Sequence, residues 1–205
     1  MRESKIVLDL FCGTKSLKPP VDKMGWVYIG LDIEPKHEPE ILQDFLEWDY
    51  TTIIPDILWA SPDCAVYSMA SGSRHFAKDK TPKTEKAKIQ LAVLARLKEC
   101  IKYYESQNPN FLYFIENPTA RMVWFMGDFP RYDLSYCKYG CERMKPTTIW
   151  TNKKNFNPKK CKNNSKDCDH IRAPRGSRTG TQALPKFKRY LVPEALLNEL
   201  VFTVS

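Results

Sequence analysis

Four short, predominantly apolar runs, each closed by polar or turn-forming residues, constrain this chain more than any other feature. Residues 6–11 end at Cys12-Gly13-Thr14, and residues 26–31 end at Asp32. Residues 53–60 end at Ser61-Pro62, and residues 111–115 end at Glu116-Asn117-Pro118. Runs this short without polar alternation read as strands buried on both faces. Between the third and fourth runs, residues 84–104 carry apolar side chains at Ala87, Leu91, Leu94, Ala95, Cys100 and Ile101, close to a helical period. Residues 132–136 and 147–150 are weaker strand candidates. Residues 193–201 read as a last helix, with Pro193 and Glu194 in its first turn. Buried strands separated by helical stretches predict an α/β fold with a mostly parallel sheet. In open sheets of this kind ligands bind beyond the carboxyl ends of the strands. The closing residues 9–16, Asp32, 61–64 and 116–118 are thereby predicted to meet at one edge.

The chain has 205 residues, enough for one domain with a core of its own. Ten Phe, ten Tyr and five Trp exclude general disorder. No apolar run approaches a membrane span. The N-terminal residues lead straight into the first strand without a signal-like pattern, so a soluble cytosolic or nuclear protein is expected, with the cytoplasm as the working compartment; a monomer is expected. Seven cysteines in such a setting read as reduced thiols rather than a disulfide scaffold. The net charge of +8 is concentrated. Residues 151–190 hold twelve Lys/Arg against two Asp, whereas the remainder holds twenty basic and twenty-two acidic residues. Such polarisation points to a polyanion, most simply nucleic acid; a solvated tail is the plain alternative.

The closing residues suggest chemistry. A Gly turn such as Gly13 lets backbone approach a ligand. An acid at the end of a second strand, here Asp32, can accept from ribose hydroxyls. No G-x-G-x-x-G or G-x-x-x-x-G-K-[ST] motif is present, which disfavours nicotinamide and P-loop sites. Cys64 on a Pro-stiffened loop could act as a nucleophile, although a structural Cys is the commoner case. Glu116, emerging from an apolar strand, is expected to be desolvated and to have its pKa raised. A carboxyl of that kind can protonate a ring nitrogen.

Taken together, these residues resemble the DNA (cytosine-5) methyltransferases, in particular short phage-type members. Val7-Leu8-Asp9-Leu10-Phe11-Cys12-Gly13 is similar to the cofactor motif D-L-F-x-G, and Gly30-Leu31-Asp32-Ile33 to the ribose-binding strand end. Gln43-Asp44-Phe45 resembles the acidic contact to adenine. Trp59-Ala60-Ser61-Pro62-Asp63-Cys64, followed by Tyr67-Ser68, resembles the Pro-Cys loop. Phe114-Ile115-Glu116-Asn117-Pro118 resembles the Glu-Asn motif, and Tyr139-Gly140 with Arg143-x-Lys145 the basic strand. The resemblance covers most of the chain in the family's order. It implies a class I S-adenosylmethionine-dependent, Rossmann-like fold with a very short target-recognition insertion. It implies S-adenosylmethionine contacts from Asp9, Phe11, Gly13, Thr14, Ser16, Asp32, Ile33, Asp44, Phe45 and Pro62. Catalysis would fall to Cys64, which adds to C6 of an extruded cytosine, to Glu116 at N3, and to Arg143, which holds the base or its phosphate. Asn117 would shape the loop. DNA contacts are implied for Ser68 and Lys145.

Three departures stand out. Asp63 replaces a second Pro, and a carboxylate beside Cys64 should raise its thiol pKa and slow attack. Cys141-x-Arg143-x-Lys145 lacks the amide of the family's Gln-x-Arg-x-Arg. Thr14-Lys15-Ser16 is poorer in glycine than usual. Asp63 and Cys141 favour a second reading, a methylase-like DNA-binding protein without turnover. An RNA cytosine-5 methylase would use the same loops. An amino-group methylase is disfavoured, since it needs an aromatic residue at position 64.

The expected organisation is a catalytic region over 1–150, a basic recognition region over 151–185, and a C-terminal helix over 186–205 that rejoins the core. Within the basic region, Lys159, Lys160, Arg175 and Arg178 are candidate phosphate contacts. Cys161-x6-Cys168-x-His170 offers zinc-type ligands without a clear fourth, which Cys137 or Cys141 could supply across space. Unlinked thiols in a loop are the alternative.

Overall fold

The computed structural model describes residues 4–162, 168–172, 181 and 184–202. Arg175 and Arg178 therefore lie outside the described residues. Seven strands form one sheet: β1 (Ile6–Leu10), β2 (Val27–Asp32), β3 (Ile41–Leu42), β4 (Ile57–Ala60), β5 (Leu112–Pro118), β6 (Arg131–Ser135) and β7 (Pro146–Thr151). Their order is β3-β2-β1-β4-β5-β7-β6. The first five pair in parallel, whereas β7 runs antiparallel to both β5 and β6. This is the mostly parallel, Rossmann-like class I sheet expected from the apolar runs. The chain leaves β1 for β2 on one side and later returns through β4 on the other, so the switch point lies between β1 and β4.

The strand period of two sorts the core into two clusters. Leu8, Leu10, Leu58, Ala60, Tyr113 and Ile115 point to the face covered by α2 (Glu85–Gln107). Val7, Ile57, Trp59, Phe114 and Ile149 point to the opposite face. There Val21 of α1 (Lys18–Lys23) and Leu196 and Leu197 of α4 (Glu194–Leu197) pack against them. A short α3 (Lys186–Tyr190) precedes α4. Helix α2 begins at Thr84, whose Oγ1 accepts from the Ala87 N–H at 3.3 Å. Ala95, on its expected apolar face, is exposed instead. No helix among the described residues is long and apolar enough to cross a membrane.

Three boundaries differ from the sequence expectation. The third strand begins at Ile57 rather than residue 53, because Pro55 has no N–H for the ladder. Strand β5 continues through Glu116, Asn117 and Pro118, which pair with Ile149, Thr148 and Thr147 of β7 rather than closing a loop. Arg143 and Lys145 do not stand on a basic strand. They lie in the turn between a 3-10 segment (Tyr136–Tyr139) and β7, which starts only at Pro146.

Candidate active site

The first strand ends in a loop with positive φ at Phe11 (59°), Gly13 (44°) and Lys15 (51°). A side chain beyond Cβ is uncommon there, and two such residues in one turn mark a backbone shaped for a ligand. Asp32, at the end of β2, anchors the loop: its Oδ2 accepts from the Gly13 N–H at 3.0 Å and its Oδ1 from the Glu34 N–H at 2.9 Å. An ionised carboxylate has about four acceptor sites, so Asp32 retains capacity for hydroxyl donors. Ile33 beside it is 60% exposed, apolar surface that an aromatic ligand could cover. Asp44 Oδ1 accepts from the Leu46 N–H at 2.9 Å. Phe45 is buried, with its ring edge-on to Phe11 at 5.3 Å. Thr14 Oγ1 and Ser16 Oγ are 3.0 Å apart, and Ser16 Oγ accepts from the Val192 N–H at 3.1 Å, tying the C-terminal segment to this loop. A cavity of about 460 Å³ lies between Thr14 and Ser16 of this loop and Tyr139, Cys141 and Pro193, and is not lined by Asp32, Ile33, Asp44 or Phe45. The donors, the spare carboxylate acceptors and the exposed apolar side chain suit a ribose-containing ligand such as S-adenosylmethionine.

Asp9 takes a supporting place. It is buried and accepts from the Tyr28 hydroxyl at 2.8 Å. Burial, then the charges of Asp32 and Glu40, push its pKa up to about 7 despite that bond. Glu40, unnoticed in the sequence, accepts from the Gly30 N–H at 2.9 Å and pairs with Lys15 at 3.3 Å. A Cβ at position 30 would lie 2.8 Å from Glu40 Oε2 and 2.9 Å from the Tyr28 hydroxyl, so a larger residue there would displace those side chains.

The next loop leaves β4 beside β1, where the Ser61 N–H donates to the Leu10 carbonyl at 3.2 Å. Pro62 is buried and Cys64 is half-buried. The Asn117 side-chain amide donates to the Pro62 carbonyl at 2.9 Å, so the strand of Glu116 holds the loop of Cys64. Arg121 clamps the far end, donating to the Ser68 carbonyl at 2.7 Å. The Ser68 hydroxyl caps the following 3-10 turn through the Ala70 N–H at 3.2 Å. Burial, then the charges of Glu116 and Asp63, raise the Cys64 thiol pKa, with Lys145 opposing. Asp63 has the expected direction of effect, but it is turned outward: its carboxylate pairs with Lys86 at 2.7 Å and accepts from the Ala65 N–H at 2.8 Å.

Glu116 is 7% exposed and accepts from the Tyr136 hydroxyl at 2.9 Å. Lys145 stands 3.5 Å from the same oxygen and 4.5 Å over the Tyr136 ring. The cation brought to Glu116 is therefore Lys145. Arg143 is directed elsewhere, donating to the Ile171 carbonyl at 3.4 Å with its Nε buried and unpaired.

A probable DNA (cytosine-5)-methyltransferase of Frog virus 3 (isolate Goorha) is 30% identical to the chain over 217 residues, spanning 95% of this chain and 98% of the relative. The chain belongs to the DNA (cytosine-5) methyltransferase family. No family model matches it. Among solved structures, an Entamoeba histolytica methyltransferase superposes with a TM-score of 0.52 at 15% identity. That superposition covers 78% of this chain and 58% of that protein, and supports the fold.

Within this family member the basic segment is closely engaged with the core. Lys159 pairs with Glu199 at 2.5 Å, and Lys160 with Asp133 at 3.7 Å. Both side chains are more than half exposed. Cys161, Cys168 and His170 converge, and Cys137 is the fourth member, all four donor atoms lying within 4.8 Å of one another. The His170 hydrogen bond lowers the Cys168 thiol pKa to about 6. Sequence reasoning missed Tyr136, Arg121 and Glu40. Their partners are 20, 53 and 10 positions away, and no spacing rule marks contacts of that kind.

Proposed function

We propose that this protein methylates C5 of cytosine in DNA through a covalent Cys64 adduct. The observation that carries the reading is the Asn117-to-Pro62 hydrogen bond, which couples the thiol loop to the strand of Glu116 inside the sheet edge. A duplex cytosine must leave the stack to reach such a site. After giving its proton to solvent, the Cys64 sulfur adds to C6. Glu116, oriented by Tyr136, takes a proton from solvent when the base enters and passes it to N3, which neutralises the negative charge that addition places on the ring; the proton returns to Glu116 when the adduct breaks down. Lys145 offsets charge at Glu116 and opposes the rise of the thiol pKa. S-adenosylmethionine would be held at the Asp32 edge and would supply the methyl group to C5, leaving as S-adenosylhomocysteine. Loss of the C5 proton to solvent water then expels the Cys64 sulfur as thiolate and restores the aromatic ring.

Asp32, Phe11, Gly13, Thr14, Ser16, Ile33, Asp44 and Phe45 form the cofactor edge in this reading, with Asp9 and Pro62 bracing it from beneath. DNA is the partner and a monomer the working unit. The basic segment and Ser68 face the phosphates, and Zn²⁺ is a structural ion at the Cys/His cluster. The test is incubation with methyl-labelled cofactor and either DNA or RNA, followed by digestion to nucleosides. Label in 5-methyldeoxycytidine supports the proposal. Label only in 5-methylcytidine from RNA, or none in either, rejects it.

A further inference from the structure

Among the described residues 152–162 and 168–172, only Phe156, Cys161 and His170 are buried. That is little apolar surface with which to order a polar, cationic segment. Its backbone is nevertheless pinned at both ends. The Ser135 N–H donates to the Lys159 carbonyl at 3.0 Å and the Lys159 N–H to the Tyr139 hydroxyl at 3.0 Å. The Cys161 N–H donates to the Ser135 hydroxyl at 3.1 Å, and the Ile171 N–H to the Glu142 carbonyl at 2.8 Å. These bonds carry Cys161, Cys168 and His170 onto the 3-10 turn that presents Cys137.

The four donor atoms converge closely enough to share one ion with small side-chain shifts. His170 Nδ1 lies 3.1 Å from Cys168 Sγ and 3.6 Å from Cys161 Sγ, with Cys137 completing the group. Tetrahedral zinc, with Zn–S of about 2.3 Å and Zn–N of about 2.0 Å, sets its donors roughly 3.5–3.8 Å apart. A disulfide would use two sulfurs and leave a third thiol and an imidazole converging for no reason. Three sulfurs and one nitrogen are a soft set that suits zinc rather than magnesium or calcium. Four protein donors also leave no open position, which is the arrangement of a structural ion.

We infer that Cys137, Cys161, Cys168 and His170 bind one Zn²⁺, and that through Cys137 this ion fixes the turn whose neighbouring residue, Tyr136, orients Glu116. Binding forms three Zn–S bonds and one Zn–N bond; each thiol that is protonated gives its proton to solvent, and neutral His170 contributes the Nδ1 lone pair. The second half of the inference rests on Glu116 acting at the cytosine ring. The ion touches neither base nor cofactor, so it is a positioning device. It also joins the basic segment to the acid of the active site across a single residue, Cys137, next to Tyr136.

The experiment uses the full chain, purified reduced and without chelator, with no DNA or cofactor present. Elemental analysis should give about one zinc per chain. Replacement by Co²⁺ should give the intense visible bands of tetrahedral cobalt and a near-ultraviolet thiolate charge-transfer band. Cys137→Ser and Cys168→Ser should each lower metal affinity at least tenfold, whereas Cys141→Ser should not. His170→Cys keeps four donors and should retain the ion, which separates lost ligation from lost folding. Zinc-free protein, an octahedral cobalt spectrum, a disulfide within the cluster in the reduced protein, or unchanged affinity in Cys137→Ser would each overturn the site. For the coupling, chelation should lower kcat for methylation several-fold at unchanged S-adenosylmethionine affinity; an unchanged kcat rejects it. Bound zinc in a protein that never methylates would reject the proposed function and leave the site standing.

Discussion

At the scale of single residues, two carboxylates make testable demands. Asp63 is one of three causes that raise the Cys64 thiol pKa, after burial and Glu116. Asp63→Asn keeps an acceptor for the Ala65 N–H and removes the charge. The pH midpoint for alkylation of Cys64, followed by mass spectrometry of its peptide, should therefore fall. Cys12 and Cys100 are pushed up to about 12 by burial, so they stay unreactive in that range. Asp9 is the second case. Its folded-state pKa is raised to about 7 by burial, from an ordinary value of 3.8. Between those values the folded chain holds a proton that the unfolded chain has released. The stability contribution is therefore full below the lower value and is lost as pH rises through the upper one. Denaturant titrations should show wild-type stability falling from about pH 4 to pH 7, by on the order of a few kcal/mol from this group. Asp9→Asn should flatten that fall, and an unchanged slope would contradict the assignment.

At the scale of elements, the tie between β5 and the Cys64 loop is the feature to remove. Asn117→Ala leaves the buried Pro62 carbonyl without its donor, a loss of roughly 1–3 kcal/mol. Methyl transfer under single-turnover conditions should slow at least tenfold, while calorimetric S-adenosylmethionine affinity stays near wild type. The elements themselves were largely legible in the sequence. Strands β1, β2 and β5 announce themselves as apolar runs, and Thr84 caps α2 where a helix start was expected. What was not legible depends on distant pairing. Pro118 ends its apolar run as a turn signal, yet β7 pairs with it and extends the strand. By sequence, Arg143 takes the catalytic place and Lys145 a DNA contact, with nothing to say which cation stands at Glu116. Which of them reaches Glu116 is decided by where β7 begins. Cys137 and Cys141 were equal candidates for a fourth ligand, and the turn that carries Tyr136 selects Cys137.

At the scale of the whole molecule, an α/β body of nearly balanced charge carries one strongly basic segment. If that segment lies on DNA, its cations displace condensed counterions, with a log–log salt slope of about −0.9 per phosphate neutralised. With half or fewer of the cations engaged, the slope should be roughly −3 to −6. Lys159 and Lys160 must exchange Glu199 and Asp133 for phosphate, so neutralising both should flatten the slope by at most about two and weaken all duplexes alike. An affinity insensitive to salt would mean the segment is only solvated charge. The central claim, that Cys64 attacks cytosine, is tested most directly with duplex DNA carrying 5-fluorocytosine and S-adenosylmethionine. Fluorine at C5 blocks the final elimination, so the wild-type protein should form a denaturation-resistant adduct whose peptide map places the DNA on Cys64. Cys64→Ala should form none, and an adduct of equal yield in Cys64→Ala, or one mapped to another residue, would contradict the account.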